Sequence, residues 1–258
     1  MLLLIFLLLI PLFWLAGFLL ATDFSVPSSK LRPFHRILVI FPHADDEVIS
    51  CGGFLHHVAR SGCAVTLAFL TRGERGTPDA TLSPGLKAIR EREARTASTI
   101  LGISTLLQQD FGDAMLHEKR QELTAFLDTL IQQERPDLLI TYDLAGFYGH
   151  PDHITCSEII TELQKSRFRA IPLWYVTFPQ KVLARVRLPE HLVTDLYAPE
   201  KRALPTHKIF IGSSVFPKIR AWSTYKSQRF SFTKGIGKFL PLRFFLSMML
   251  FEYFAEAR

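Results

Sequence analysis

Short apolar segments alternate with helical patterns along most of the chain, and this alternation restricts its fold more than any other feature. The apolar segments predict five strands, at residues 37–41, 64–70, 106–109, 137–141 and 172–177. Amphipathic patterns predict helices between them, at residues 47–60, 86–101, 118–133 and 154–165. Such alternation is typical of an α/β fold, so we expect a Rossmann-like, doubly wound, mainly parallel sheet with helices on both faces.

Histidines and carboxylates cluster where two of the predicted strands end. The clusters are His43, Asp45 and Asp46 after the first strand, and His150, Asp152 and His153 after the fourth. In a doubly wound sheet of strand order 3-2-1-4-5, the first and fourth strands are neighbours, and ligands bind at the carboxyl ends of the strands. We therefore expect the two clusters to meet in one site.

The residue types in the two clusters are those that bind a catalytic metal. Catalytic zinc usually takes three protein ligands, drawn from imidazole nitrogens and carboxylate oxygens, and keeps a position for water. We predict His43, Asp46 and His153 as the ligands, because the first two lie three residues apart across a turn and the third comes from the facing strand end. Fe²⁺ fits the same ligand types.

The remaining residues of the clusters have roles beside the metal. Asp45 is not needed as a ligand, and it is predicted as the general base towards the bound water. His150 is predicted to stabilise an oxyanion, and Asp152 to orient a histidine from outside the ligand set. Acidic residues at a helix start also have a purely structural interpretation, as caps and dipole partners. The facing histidine cluster favours the metal site.

Two segments together, PHADDE at residues 42–47 and YGHPDH at 148–153, resemble the PIG-L/LmbE family of zinc-dependent N-acetylglucosaminyl de-N-acetylases. The resemblance covers about residues 36–230 and includes the segments LTRGE at 70–74, RERE at 90–93, ILG at 100–102, RPD at 135–137 and SQ at 227–228. It implies an LmbE-like fold, with the same zinc ligands and the same base. Ala44 stands where the family usually has proline, which leaves the ligand types unchanged.

The resemblance also implies roles and an activity that residue spacing does not indicate. Tyr148 is implied beside His150 in polarising the acetamide carbonyl, and Arg90 and Asp113 are implied as substrate contacts. The implied reaction removes the acetyl group from an N-acetylglucosaminyl (GlcNAc) conjugate, such as GlcNAc-phosphatidylinositol or another lipid-linked or small-molecule compound. The alternative is a non-catalytic, membrane-anchored scaffold that keeps the fold. Intact ligands and base argue against that alternative.

The first 21 residues contain no charged side chain and consist mostly of Leu, Ile, Phe and Ala. At about 1.5 Å per residue they are long enough to cross a hydrocarbon core of about 30 Å, so we expect a transmembrane helix at residues 1–21. A cleaved signal peptide is the alternative. The basic flank of Lys30, Arg32 and Arg36 predicts a single-pass membrane protein with its catalytic domain in the cytoplasm.

The rest of the chain divides into a linker at residues 22–35, the deacetylase domain at 36–230 and an apolar, basic segment at 231–258. We expect the last segment either to lie on the bilayer or to pack on the core as a terminal helix. The net charge of +6 suits anionic headgroups or a phosphorylated substrate, and no recognised motif indicates nucleic acid. The three cysteines lack CxxC spacing, and the first strand is not followed by GxGxxG, so neither a cysteine zinc site nor a dinucleotide site is predicted.

Overall fold

A computed structural model describes residues 2–30, 32–76, 85–183, 198–228 and 242–257, and for residues 2–8, 180 and 183 it describes the backbone alone. Met1 and residues 231–241 and 258, which belong to the predicted terminal segments, lie outside this range. The helices are α1 Leu2–Ala21, α2 Asp46–Arg60, α3 Leu86–Leu101, α4 Arg120–Glu134, α5 Gly146–Gly149, α6 Pro151–Ser166, α7 Gln180–Leu183, α8 Val215–Trp222 and α9 Leu242–Met248. The strands are β1 Arg36–Phe41, β2 Ala64–Phe69, β3 Thr105–Gln108, β4 Leu138–Tyr142, β5 Leu173–Thr177, β6 His207–Phe210 and β7 Phe251–Glu256.

The described strands form one sheet of order β3-β2-β1-β4-β5-β7-β6. The first five strands are parallel, and their order confirms the predicted 3-2-1-4-5 arrangement. Val39 of β1 pairs with Leu67 of β2 on one side and with Ile140 of β4 on the other. The apolar runs of β1 and β4 are buried on both faces, as is typical of a central parallel strand.

Alternate residues of β1 enter two separate apolar layers, one on each face of the sheet. Val39 and Phe41 pack in the layer that contains Phe54 of α2. Leu38 and Ile40 pack in the opposite layer. That second layer also contains Leu123 and Leu127 of α4 and Ile159 and Ile160 of α6. The helices therefore cover both faces, as the alternating pattern predicted.

Two further strands make the sheet mixed, and the strand predictions did not include them. β7 pairs antiparallel with both β5 and β6, and Tyr253, Phe254 and Ala255 within it are buried. The residues of β7 were predicted to belong to a separate C-terminal segment, on the bilayer or in a terminal helix. That expectation is wrong for residues 251–256, because their backbone completes the sheet between two partner strands.

The predicted transmembrane helix is not supported by the structure. Residues 2–21 do form a helix, but it lies against α9: Trp14 donates from Nε1 to Ser247 Oγ (3.1 Å), and the rings of Phe13 and Phe244 stack with centroids 5.9 Å apart. Within the part of the chain that the structure describes, no helix combines the length and the apolar character that crossing a membrane requires. The cytoplasmic location was argued from that span, and it stays a prediction.

A buried ion pair joins the C-terminal elements to α2. Lys218 Nζ lies 2.6 Å from Glu252 Oε1, and both side chains are excluded from solvent. Glu252 also accepts hydrogen bonds from the backbone N–H groups of Gly53 (2.9 Å) and Phe54 (2.6 Å). Both donors follow a break in α2 at Cys51, whose φ of −145° is not helical. The pair therefore links α8, β7 and α2.

We expect Lys218→Met to lower the free energy of unfolding by about 3–5 kcal/mol, because the substitution leaves the Glu252 carboxylate buried without its cation. Urea unfolding of the full chain measures the change. Arg120→Met is the matched control, because the side chains of Arg120 and Glu158, which form an ion pair, are 38% and 36% exposed. This variant should lose less than about 1 kcal/mol of unfolding free energy. Similar small losses in both variants would contradict the importance of the buried pair.

Candidate metal centre and active site

The three side chains predicted as metal ligands converge at the carboxyl ends of β1 and β4. His43 Nδ1 lies 3.2 Å from His153 Nε2 and 3.7 Å from Asp46 Oδ2, and His153 Nε2 lies 3.4 Å from Asp46 Oδ1. Ligand atoms bound to zinc at about 2.0–2.1 Å in a tetrahedron are about 3.3 Å apart. The His43–His153 and His153–Asp46 distances are close to that spacing, and the His43–Asp46 distance, which involves the other oxygen of Asp46, is longer. Among the described residues, the groups whose ligand atoms all lie within 4.8 Å of one another are His43–His150–His153 and His43–Asp113–His150–Asp152, so His150 is a further candidate metal donor at this centre.

The fold brings these side chains together from positions 110 residues apart in the chain. β1 ends at Phe41, and the turn that follows carries His43 into the site before α2 begins at Asp46. β4 ends at Tyr142, and the short helix α5 then leads to His153 in the first turn of α6. Because β1 and β4 are adjacent and parallel, both turns open at the same edge of the sheet.

Each histidine of this set has its second ring nitrogen hydrogen-bonded to the protein. His153 Nδ1 lies 3.2 Å from the carbonyl oxygen of Gly146, and His43 Nε2 lies 3.1 Å from carboxylate oxygens of both Asp113 and Asp152. We assign the proton of each neutral ring to these nitrogens, since their partners are acceptors. In the neutral form of each ring, which metal binding requires, His43 Nδ1 and His153 Nε2 then carry the lone pairs.

Asp46 is oriented by two donors of its own. Its Oδ1 accepts a hydrogen bond from the Tyr142 hydroxyl (2.9 Å), and its Oδ2 accepts one from the backbone N–H of His43 (3.0 Å). Tyr142 was not among the residues predicted for the site. A hydroxyl at the carboxyl end of a fully buried strand was the available signal, because a buried hydroxyl needs a partner.

Burial and the neighbouring charges shift the pKa values of His43 and His153 in opposite directions. Burial opposes protonation of His43, but its hydrogen bonds to Asp113 and Asp152 outweigh that effect and raise the pKa of His43 well above its usual value. Burial, with the positive charge of His43 nearby, lowers the pKa of His153 well below its usual value. A metal ion must displace the proton from His43 Nδ1, so metal and proton compete at this ring.

Asp45 lies beside the ligands in a strained backbone conformation. Its φ is 117° and its ψ −24°, a region that costs a non-glycine residue about 1–3 kcal/mol. Its carboxylate lies 3.7 Å from Arg90 Nη2. Burial raises the pKa of Asp45 to about 8, against the opposing effect of the Arg90 cation and with the carboxylates of Asp46 and Glu47 adding to it. A pKa near neutrality suits a group that accepts and returns a proton.

His150 borders the same centre as a neutral hydrogen-bond donor. The ring nitrogens of His43, His150 and His153 can be chosen within 4.8 Å of one another. His150 Nδ1 accepts a hydrogen bond from the backbone N–H of Asp152 (3.2 Å), which caps α6 and leaves the ring proton on Nε2. Burial and the charges of His43 and His153 lower the pKa of His150 to about 3, so the ring is neutral at pH 7.

Asp152 and Tyr148 also lie at the centre. Asp152, predicted to orient a histidine, accepts from His43 Nε2 and also from the backbone N–H groups of Ala114 (2.7 Å) and Leu116 (3.2 Å). The Tyr148 ring lies 5.2 Å from the His153 ring, centroid to centroid. Burial, with the nearby carboxylates adding to it, raises the pKa of Tyr148 well above its usual value, so its hydroxyl remains a donor.

Arg90 and Asp113, predicted as substrate contacts, both form hydrogen bonds within the protein. Arg90 Nη2 donates to the carbonyl oxygen of Ala44 (2.6 Å), and its side chain is buried. Asp113 accepts from the backbone N–H of Arg75 (2.9 Å) in addition to its contact with His43. Both residues border the site, and substrate contact by either of them stays a prediction.

We expect His43→Ala and His153→Ala to lose the bound metal, because each substitution removes one of three converging donors. Elemental analysis of purified, zinc-equilibrated protein measures the content, which should be about one equivalent in the unsubstituted chain and in His117→Ala, whose side chain is 57% exposed. Retention of one equivalent in both ligand variants would refute the assignment.

We also expect metal affinity to fall as the pH is lowered. The raised pKa of His43 means that the folded, metal-free protein holds a proton there up to a pH above the ordinary histidine range, and the metal competes with that proton. Competition with a chromogenic chelator between about pH 8 and pH 6 measures the affinity. An affinity that is independent of pH over this interval would contradict the coupling.

The family model described as "PIG-L: GlcNAc-PI de-N-acetylase" matches residues 38–164, which include both clusters. Over 253 aligned residues the chain is 29% identical to the diacetylchitobiose deacetylase of Thermococcus kodakarensis, with 84% of this chain and 91% of that protein covered. It is 31% identical over 182 residues to the Bacillus anthracis protein named "Probable N-acetyl-alpha-D-glucosaminyl L-malate deacetylase 2", with 67% of this chain and 80% of that protein covered.

Among solved structures, the N,N'-diacetylchitobiose deacetylase of Pyrococcus horikoshii has a TM-score of 0.66 to this chain. The superposition covers 93% of this chain and 88% of that one, and the sequence identity is 20%, so this likeness bears on the fold alone. The family model and the relative from Bacillus anthracis indicate the same family as the two clusters that meet at the strand ends. The chain belongs to the PIG-L family of de-N-acetylases.

Proposed function

We propose that this protein is a zinc-dependent amidohydrolase that removes the acetyl group from an N-acetylglucosaminyl conjugate. The observation that carries the proposal is the convergence of the side chains of His43, Asp46 and His153, with Asp45 buried beside them. Deacetylation of GlcNAc compounds is also what the names of the family model and the relatives describe. Hydrolysis of the amide gives acetate and the free amine of the sugar.

The three ligands would hold the metal, and a zinc ion in such a site supplies an acidified water and polarises a carbonyl. Asp45 accepts the proton that the attacking water loses. It then returns that proton to the amide nitrogen when the carbon–nitrogen bond breaks. The pKa of about 8 for Asp45 applies without metal; a divalent cation beside the carboxyl group favours its ionised form, which a base requires.

The neutral ring of His150 stabilises charge on the substrate. Its Nε2–H is free of the capping bond that occupies Nδ1, so it donates to the carbonyl oxygen as negative charge develops there. Because the pKa of His150 is lowered to about 3, the ring acts as a neutral donor throughout the physiological range. Tyr148, which keeps its hydroxyl proton and whose ring centroid lies 6.0 Å from that of His150, is proposed as a second donor.

The aglycone is proposed from chemistry and from the family's description. The family model is described by GlcNAc-PI, in which a lipid-linked inositol phosphate is the aglycone, and the net charge of +6 suits an anionic conjugate. We propose GlcNAc-phosphatidylinositol as the first candidate. Diacetylchitobiose, GlcNAc-malate and the water-soluble GlcNAc-inositol are the alternatives to be compared with it.

Acetate release by the zinc-loaded, full-length protein should identify the conjugate when the four candidates are compared by kcat/KM. If the proposal for the aglycone is right, kcat/KM should be higher for a lipid-linked substrate than for its water-soluble headgroup analogue. If a soluble conjugate is preferred, the proposal for the aglycone is wrong, but the proposal of a de-N-acetylation reaction still holds. If metal-loaded protein releases no acetate from any of them, the non-catalytic scaffold becomes the better interpretation.

We expect Asp45→Asn to keep about one equivalent of zinc while lowering kcat by about 10² or more, because the proton acceptor is lost and the ligands remain. Asparagine tolerates a positive φ, so the local backbone is preserved. Asp110→Asn, at a surface carboxylate that pairs with Lys87 and is 47% exposed, is the matched control and should retain full turnover. Turnover of Asp45→Asn equal to that of the unsubstituted protein would rule out Asp45 as the base.

A further inference from the structure

A carboxylate next to the ligands has no role in the chemistry described so far. Glu47 is fully buried in the first turn of α2, one residue after Asp46. Its two oxygens are both used: Oε2 accepts a hydrogen bond from the backbone N–H of Asp45 (3.0 Å), and Oε1 accepts one from the hydroxyl of Tyr225 (2.7 Å). Glu47 therefore connects the backbone of the proposed base to a residue 178 positions later in the chain.

The bond from Asp45 to Glu47 acts on a strained part of the backbone. Asp45 has a positive φ of 117°, which few non-glycine residues adopt. Such a conformation persists only when the surroundings impose it. Two contacts do so here: Glu47 Oε2 holds the N–H of Asp45, and Arg90 Nη2 holds the carbonyl oxygen of the preceding residue, Ala44.

Tyr225 is in turn held in place by the C-terminal part of the domain. It is fully buried, and it lies between α8 and the 3₁₀ helix Lys226–Gln228. The neighbouring Ser227 donates from its backbone N–H (3.0 Å) and its hydroxyl (2.6 Å) to the carboxylate of Glu93 in α3. The segment that carries Tyr225 is thus tied to α3 through Ser227.

We propose that Glu47 and Tyr225 are positioning residues for Asp45. Tyr225 fixes the carboxylate of Glu47, which fixes the backbone of Asp45 and so directs the Asp45 carboxylate towards the position of the attacking water. This inference rests on the proposed function, because it takes Asp45 as the base. A purely structural Glu47 would satisfy the same two donors without any effect on turnover.

Tyr225→Phe tests the proposal with the smallest change, since it removes one hydroxyl and keeps the ring. In the full-length, zinc-loaded protein we expect kcat to fall about tenfold and KM to stay within about twofold, because a base displaced by a fraction of an ångström loses rate while binding is retained. Zinc content should remain at about one equivalent.

Glu47→Gln is the second variant, and it applies if Tyr225→Phe fails to fold. The amide keeps the volume of the side chain but has one oxygen acceptor for two donors, so one of the two bonds is lost. We expect a similar fall in kcat. The double variant should turn over no more slowly than Glu47→Gln alone, because both substitutions interrupt the same connection.

Tyr175→Phe is the matched control for the loss of a buried tyrosine hydroxyl. Tyr175 of β5 bonds through its hydroxyl to Thr161 Oγ1 of α6 (2.7 Å), and neither residue contributes to the site. Its Tm should fall by an amount comparable to that of Tyr225→Phe, with kcat unchanged. If Tyr225→Phe behaves in the same way, with a lowered Tm and full kcat, the positioning role is refuted.

Crystal structures of Tyr225→Phe and Glu47→Gln give a readout that does not depend on activity. We expect the Asp45 carboxylate to be displaced by a fraction of an ångström or to occupy two positions. An unchanged Asp45 in both variants would overturn the proposal even if no substrate were known. Absence of acetate release by the unsubstituted protein would instead count against the proposed function, so the two failures are distinguishable.

Discussion

The parallel pairing of β1 with β4 is the constraint on which the site depends. Ile37 pairs with Leu138 and Val39 with Ile140, at the centre of a sheet that is buried on both faces. Parallel neighbours must be joined by long crossover connections, and here the chain between β1 and β4 forms three helices and two strands, α2, β2, α3, β3 and α4. Their carboxyl ends then lie side by side, and the turns after them are the places where His43 and His153 approach within 3.2 Å.

That arrangement concentrates ionisable groups in a volume with little solvent. His43, Asp45, Asp46, Asp113 and Asp152 are all buried, and His43 lies within 3.7 Å of carboxylate oxygens of Asp46, Asp113 and Asp152. Burying several carboxylates together is unfavourable unless positive charge or hydrogen bonds offset the cost. Tyr142, the backbone N–H groups and the His43 ring supply part of that compensation. A divalent cation would supply the rest, which couples metal binding to the stability of the fold.

The C-terminal part of the chain supports the candidate site through residues next to the predicted metal ligands. The Lys218–Glu252 ion pair contacts α2 just after its break at Cys51, and the Tyr225 hydroxyl donates to the carboxylate of Glu47. α2 is thereby held at both halves by elements that follow it by more than 150 residues. α1 packs on α9 through Trp14 and Ser247, and it contacts the C-terminal strand β7 through the rings of Phe18 and Phe251. The active-site helix is therefore fixed by the end of the chain as well as by the sheet beneath it.

The sequence by itself determined the order of the first five strands, the two histidine–carboxylate clusters and their family, because hydrophobic periodicity and residue types are local properties of a segment. It could not indicate that β7 enters the sheet, that residues 2–21 lie against α9, or that Asp152 accepts from His43 rather than from another histidine. Nor could it assign the free nitrogen of each ring, or pair Glu47 with Tyr225. Those facts depend on hydrogen bonds and packing between residues far apart in the chain, and only the tertiary structure decides which distant donor meets which acceptor.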